Sequence, residues 1–235
     1  MKGLVMVRRL VLVLLVICAG LCLVVGVKGY RMYKDALAQT SLAEKVDSIR
    51  AKEDYTTFEE LPPIYVEAVL SVEDHRFYSH PGIDPIAIGR AVFNDLKAMA
   101  FVEGGSTVTQ QLAKNLYFSQ EKELTRKAAE VFMAFDLERN YSKEEILELY
   151  VNSIYFGNGY YSVAEASEGY FGKAPSEMTE YESTLLAGIP NAPSVYALTA
   201  NPDLAAQRQR QVVDRMVTCG YYTEVQAQET LAAGM

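Results

Sequence analysis

The chain has 235 residues, enough for one anchor and one domain with a proper core and little else. Half of them are apolar, and Gly and Pro are unremarkable at 15 and 8, which excludes a disordered chain. Residues 1–30 carry four basic and no acidic side chains, so the other 18 basic and 30 acidic residues leave −12, excluding nucleic acid as a partner held by bulk electrostatics.

Leu10 to Val27 is an uncharged run of 18 residues between Arg8-Arg9 and Lys28. At about 1.5 Å per residue it spans roughly 27 Å, close to the hydrocarbon thickness of a bilayer. A cleaved signal peptide is the alternative, but the run exceeds the roughly 7–15 residues of such a segment and no clean small-x-small site follows. A retained transmembrane helix over 10–27 is therefore expected. Lys2, Arg8 and Arg9 place residues 1–9 in the cytoplasm and the following domain outside, in the plasma membrane. Cys18 and Cys22 lie in the run, so Cys219 stands alone beyond it and offers neither a disulfide framework nor a Cys-based metal site.

Residues 28–54 read as a juxtamembrane linker, with Leu42, Val46 and Ile49 at helical spacing, that lifts the domain off the surface. From Pro62 onward nearly every segment reads as helix, and the predicted fold class is mostly α. Ile64, Tyr65, Ala68, Val69 and Val72 share a face after Pro62-Pro63. Capping boxes are predicted at Thr107, Ser142, Thr179 and Thr223, each with Glu or Gln three residues on, and Asn201-Pro202 supplies an N-cap followed by Pro. Ile86 to Val102 is apolar with few charges; a core helix and an apolar surface dipping into the outer leaflet fit it equally. Two glycine-bearing loops, Glu103 to Ser106 and Tyr155 to Tyr161, suit a turn or a cover over a ligand. The 16 tyrosines suit a carbohydrate or interfacial surface, or an ordinary half-buried shell.

Chemistry-bearing residues come in three segments. Glu73-Asp74-His75-Arg76 closes the helix from Pro62; a helix-end Glu-Asp pair is either solvated or catalytic, and it needs company. Thr107, Gln111 and Lys114 form a polar stripe opposite Val108, Leu112 and Leu116. Lys122, Arg126, Lys127 and Glu130 follow, with Ala128, Val131, Phe132 and Phe135 predicted as the apolar face and Arg126 and Glu130 on its flank. That grouping is either an i,i+4 ion pair or a cationic cradle for phosphate oxygens inside an acidic protein.

In order, these segments and two later ones are similar to the five motifs of the peptidoglycan glycosyltransferases of family 51, of the monofunctional biosynthetic kind. They are Glu73-Asp74 with Phe77, His80, Gly82 and Asp84; Gly104 to Asn115; Arg126-Lys127 with Glu130, Ala134 and Leu137-Glu138; Ile146 to Gly157 and on to Lys173; and Leu186 to Ser194. The resemblance runs from about residue 55 to 220 and implies a lysozyme-like, two-lobed helical domain over 55–235, with a small membrane-proximal lobe around 86–102. It implies polymerisation of lipid II into β-1,4-linked glycan with inversion, releasing undecaprenyl pyrophosphate. Glu73 would be the base; Lys114, Arg126 and Lys127, helped by Lys122, would stabilise the leaving pyrophosphate. Ser106, Thr107, Gln111 and Asn115, with Phe77 and His80, would line the cleft. Glu130 would orient the cations, the favoured role, or help hold a divalent metal (Mg or Mn); no organic cofactor is implied. Partners would be lipid II, the nascent glycan strand, the bilayer and other cell-wall synthesis proteins. Two positions depart from the family pattern: Ser162 where Gly is usual, and Lys122 where Arg is common.

Rival readings are a glycan hydrolase, an inactive membrane scaffold, and a fragment of a bifunctional penicillin-binding protein. A hydrolase needs no anchor joined to a cationic cradle, and intact Glu73 and Glu130 argue against a scaffold. Ser119-Gln120-Glu121-Lys122 matches the Ser-x-x-Lys pattern of acyl-enzyme chemistry, but neither Ser-x-Asn nor Lys-Thr-Gly accompanies it.

Overall fold

The structure is a computed structural model that describes residues 2–98, 104–118 and 124–234. Lys122, the Ser119–Lys122 pattern, Glu103 and the end of the 86–102 segment lie outside the described residues. Among the described residues twelve α-helices and a few 3-10 turns make up the secondary structure and there is no strand, as the mostly α expectation required.

The first helix, α1 (Lys2–Gln39), is long and apolar enough to cross a membrane. It does not break where the apolar run ends. Its last turns lie along α6 instead of spacing the domain away, because the sequence puts a packing face there. A Cβ on Gly29 would stand 2.5 Å from that of Ala128, so glycine lets the helices meet. Tyr30 and Tyr33 close on the Phe132 ring at 5.3 and 5.9 Å, and the Tyr33 hydroxyl donates to Asp136. Val46 and Ile49 of α2 (Leu42–Arg50) are buried as well, so the juxtamembrane stretch belongs to the core.

Next come α3 (Pro63–Glu73) and α4 (Pro85–Ala98), then α5 (Val108–Tyr117), α6 (Leu124–Asn140) and α7 (Lys143–Val151). The chain continues through α8 (Val163–Phe171), α9 (Glu180–Gly188), α10 (Pro193–Tyr196), α11 (Pro202–Cys219) and α12 (Glu224–Ala232). Helix α3 runs through the centre, with α9 and α11 against it, while α5 packs on α6 and α7. Its Tyr65, Ala68, Val69 and Leu70 are buried. By contrast α4 turns Ile86, Val92 and Phe93 outward, each more than half exposed; the described part of that apolar segment is a surface, with Ala91 its buried contact.

All four predicted capping boxes form, and Ser41 adds a fifth that bonds both ways with Glu44. The exception is Asn201, whose side chain donates to the Val195 carbonyl at 3.2 Å and makes no cap bond to α11. The face of α6 also differs from the expected one. Ala129, Glu130, Met133, Ala134 and Leu137 are buried, whereas Ala128, Val131, Phe132 and Phe135 are half-buried. The helix is covered on two sides, by α1 and by α5, so a single apolar stripe does not describe it. Ser162, where the family pattern has Gly, is the N-cap of α8: it accepts from the Glu165 amide at 3.0 Å and donates to Asp54. In the loop before it, Asn158 and Gly159 take φ of 53° and 87° and Tyr160 N–H bonds to Gly157, a tight turn in which Gly relieves the strain.

Candidate active site

Glu73 is the last residue of α3, which packs against α9 and α11. Gln111, one turn into α5, donates to Glu73 Oε2 at 2.6 Å, and Tyr150 donates to Gln111 at 3.4 Å from behind. The other oxygen, Oε1, is buried without a hydrogen-bond partner. Buried acceptors are rarely left so. Burial pushes the Glu73 carboxyl above the ordinary carboxylate range; the Gln111 bond and the charges of Arg208 and Lys114 pull it partway back.

Asp74 is turned the opposite way and is fully engaged. It accepts from His80 Nε2 at 2.9 Å and from the Val108 amide at 3.1 Å, at the start of α5. His80 Nδ1 accepts from the Gly82 amide at 3.2 Å, which places the ring proton on Nε2. Phe77 and His80, expected along the cleft, are therefore core residues: both are buried, and Lys143 lies 4.4 Å above the Phe77 ring. Thr107 is buried too, because it caps α5 and donates to the Gly82 carbonyl at 2.6 Å. These three shape the site from beneath. Asn115 stays half-buried on α5.

The cationic group is gathered on α5 and α6. Arg126 is bonded to Glu130 Oε1, and Lys127 Nζ lies 3.0 Å from Oε2, so both oxygens of this buried carboxylate are committed. Lys127 also donates to Ser106 Oγ at 2.5 Å, tying the glycine loop to α6. Burial, then the charges of Arg126 and Lys114, brings Lys127 down to about 8, although its side chain keeps two-fifths of its exposure. Lys114 is lowered by burial and by Arg126 and held up by Glu73, so it links Glu73 to Arg126 electrostatically. Glu130, expected on the flank of the helix beside Arg126, is the buried hub of the cluster.

A protein-held divalent ion does not fit this donor set. Both Glu130 oxygens already face cations, and among the described residues no three His, Cys, Asp or Glu side chains converge.

The site thus holds one carboxylate with an unfilled oxygen and a group of cations organised by a second, filled carboxylate. Comparison with known proteins gives the family. The profile of the Transglycosylase family matches residues 39–217. The chain is 45% identical over 168 residues to penicillin-binding protein 1F of Bacillus subtilis, covering 72% of this chain and 24% of that one. It is 42% identical to penicillin-binding protein 1A of Aquifex aeolicus, covering 77% and 25%, and 42% identical to that of Escherichia coli, covering 74% and 20%. The chain thus spans about a quarter of the length of these curated relatives. A crystal structure of penicillin-binding protein 1A from Haemophilus influenzae is similar with a TM-score of 0.37 and 27% identity, over 53% of this chain and 15% of that one. This chain belongs to the transglycosylase family, the peptidoglycan glycosyltransferases of family 51.

Proposed function

We propose that this chain polymerises lipid II into β-1,4-linked glycan, with Glu73 as the general base. The observation that carries the proposal is the open Glu73 Oε1 beside the Lys114, Arg126 and Lys127 cluster. Glu73 takes the proton from the 4-hydroxyl of the acceptor sugar as that oxygen bonds to the donor's anomeric carbon. The bond from that carbon to the lipid pyrophosphate breaks, inverting its configuration. A raised carboxyl is a stronger base than a solvated one, and such catalysis contributes about 10²–10⁴-fold. Pyrophosphate leaves as an anion and needs charge stabilisation, not a proton, which the three cations supply while Glu130 orients Arg126 and Lys127. Ser106 fixes Lys127, and Gln111 orients Glu73. No step is assigned to a divalent ion.

In this reading α1 anchors the chain in the plasma membrane with residues 1–9 cytoplasmic. Residues 55–235 are the extracytoplasmic catalytic domain, and the outward apolar face of α4 meets the outer leaflet where the substrate's lipid lies. Other cell-wall synthesis proteins are its natural partners.

The test is incubation of the full chain in detergent with labelled lipid II. Growing glycan ladders are expected. Shortening of pre-made glycan with none built would replace the proposal with a hydrolase.

A further inference from the structure

Arg208 is far from every motif cation in sequence, yet it is among the charges felt at Glu73, ahead of Lys114. It stands on α11, which packs against both α3 and α9. Gln211, one turn on, accepts from one end of its guanidinium at 2.9 Å. Its Nε is buried and makes no hydrogen bond. Helices α3 and α11, which pack together, thus hold a buried acceptor without a donor on Glu73 and a buried donor without an acceptor on Arg208. Buried polar groups are rarely left unmatched. The space for this arginine is provided by Gly188 at the end of α9: a Cβ there would stand 2.9 Å from Arg208 Cγ and 3.3 Å from Val212 Cγ2.

We propose that Arg208 is a positioning residue for Glu73, the counter-charge that keeps this buried carboxylate anionic and aimed while it waits for the acceptor hydroxyl. The role rests on Glu73 being the base. The other groups facing Glu73 do not substitute for it. Lys114 of α5 is shared with the cradle, Gln111 of α5 and Tyr150 of α7 are neutral, and Asp74, itself tied to His80, opposes ionisation. Helix α9 provides the gap at Gly188. Removing a positive charge from beside a carboxylate raises its proton affinity, so the loss is greatest at low pH and fades as pH rises.

The experiment follows Glu73 in Arg208→Met and Arg208→Lys by pH-difference infrared spectroscopy of the full chain in detergent, using the protonated-carboxyl signal that Glu73→Gln abolishes. In Arg208→Met the titration midpoint should rise by about one pH unit, a tenfold shift in the proton equilibrium. Polymerisation near pH 6 should fall about tenfold relative to the wild type and recover with rising pH, while Arg208→Lys restores the midpoint. Gly188→Ala, which displaces the arginine stem, should give a smaller shift of the same sign. An unmoved midpoint in Arg208→Met overturns the proposal, as does an equal loss of rate at every pH. The infrared midpoint needs no substrate, so a wild-type chain that builds no glycan would refute the proposed function and leave the test of Arg208 intact.

Discussion

Glu73 and Glu130 are joined through Lys114 and Arg126 in one electrostatic network, but the fold treats them in opposite ways. Glu130 has every acceptor filled by Arg126 and Lys127, and Glu73 has one oxygen held by Gln111 and one left open. A filled buried carboxylate holds its neighbours in place and is inert as a base. An open one has its proton affinity raised by burial and has room for a new partner. The difference separates a carboxylate that organises the cations from one with an oxygen left open, although both are glutamates on helices.

Breaking the filled site should have the largest effect. Glu130→Ala leaves Arg126 and Lys127 without their buried partner; loss of one member of such a pair costs roughly 3–5 kcal/mol. At about 2–4 °C per kcal/mol for a chain of this size, melting in detergent should fall by roughly 10 °C, along with loss of polymerisation. A stable but inactive Glu130→Ala would instead make Glu130 a direct participant. Next in size, Lys114→Ala should lower turnover and weaken donor binding together, by about 10–100-fold in kcat/KM, from the loss of one charge-assisted contact of about 1.5–3 kcal/mol. Steady-state kinetics with lipid II checks this.

The pH dependence sharpens the comparison further. Lys127 has its ammonium lowered to about 8 by burial and like charge, so the free cradle loses a charge as pH rises through that value. The alkaline limb of kcat/KM should begin there, and Lys127→Arg, which cannot deprotonate, should push it upward. An unmoved limb would assign it to another group.

Much of this was readable locally. Thr107, Ser142, Thr179 and Thr223 form their capping boxes because that motif needs only residues three apart, and the order of charged segments places Glu73, Lys114, Arg126 and Lys127 in one region. Readings that depend on what lies opposite fared differently. The face of α6 was misassigned because α1 covers a second side of it. The family resemblance implies Thr107, Phe77 and His80 along the cleft, but all three are buried, Thr107 against Gly82, Phe77 beneath Lys143 and His80 on the nearby Asp74. Arg208 carried no local signal; 135 residues separate it from Glu73, and only the Gly188 gap on α9 hints that a bulky side chain lies against that helix.

The smallest stability effect should accompany the largest loss of chemistry, and Glu73→Gln tests both at once. Because burial raises the Glu73 carboxyl, its ionisation weakens the fold as pH rises through the folded-state titration, so the neutral amide should melt at or slightly above the wild type at pH 7–8. Measured on one preparation with labelled lipid II, the account predicts glycan synthesis reduced by about 10²–10⁴-fold with melting preserved. Ladders of near wild-type length and rate from Glu73→Gln would contradict it.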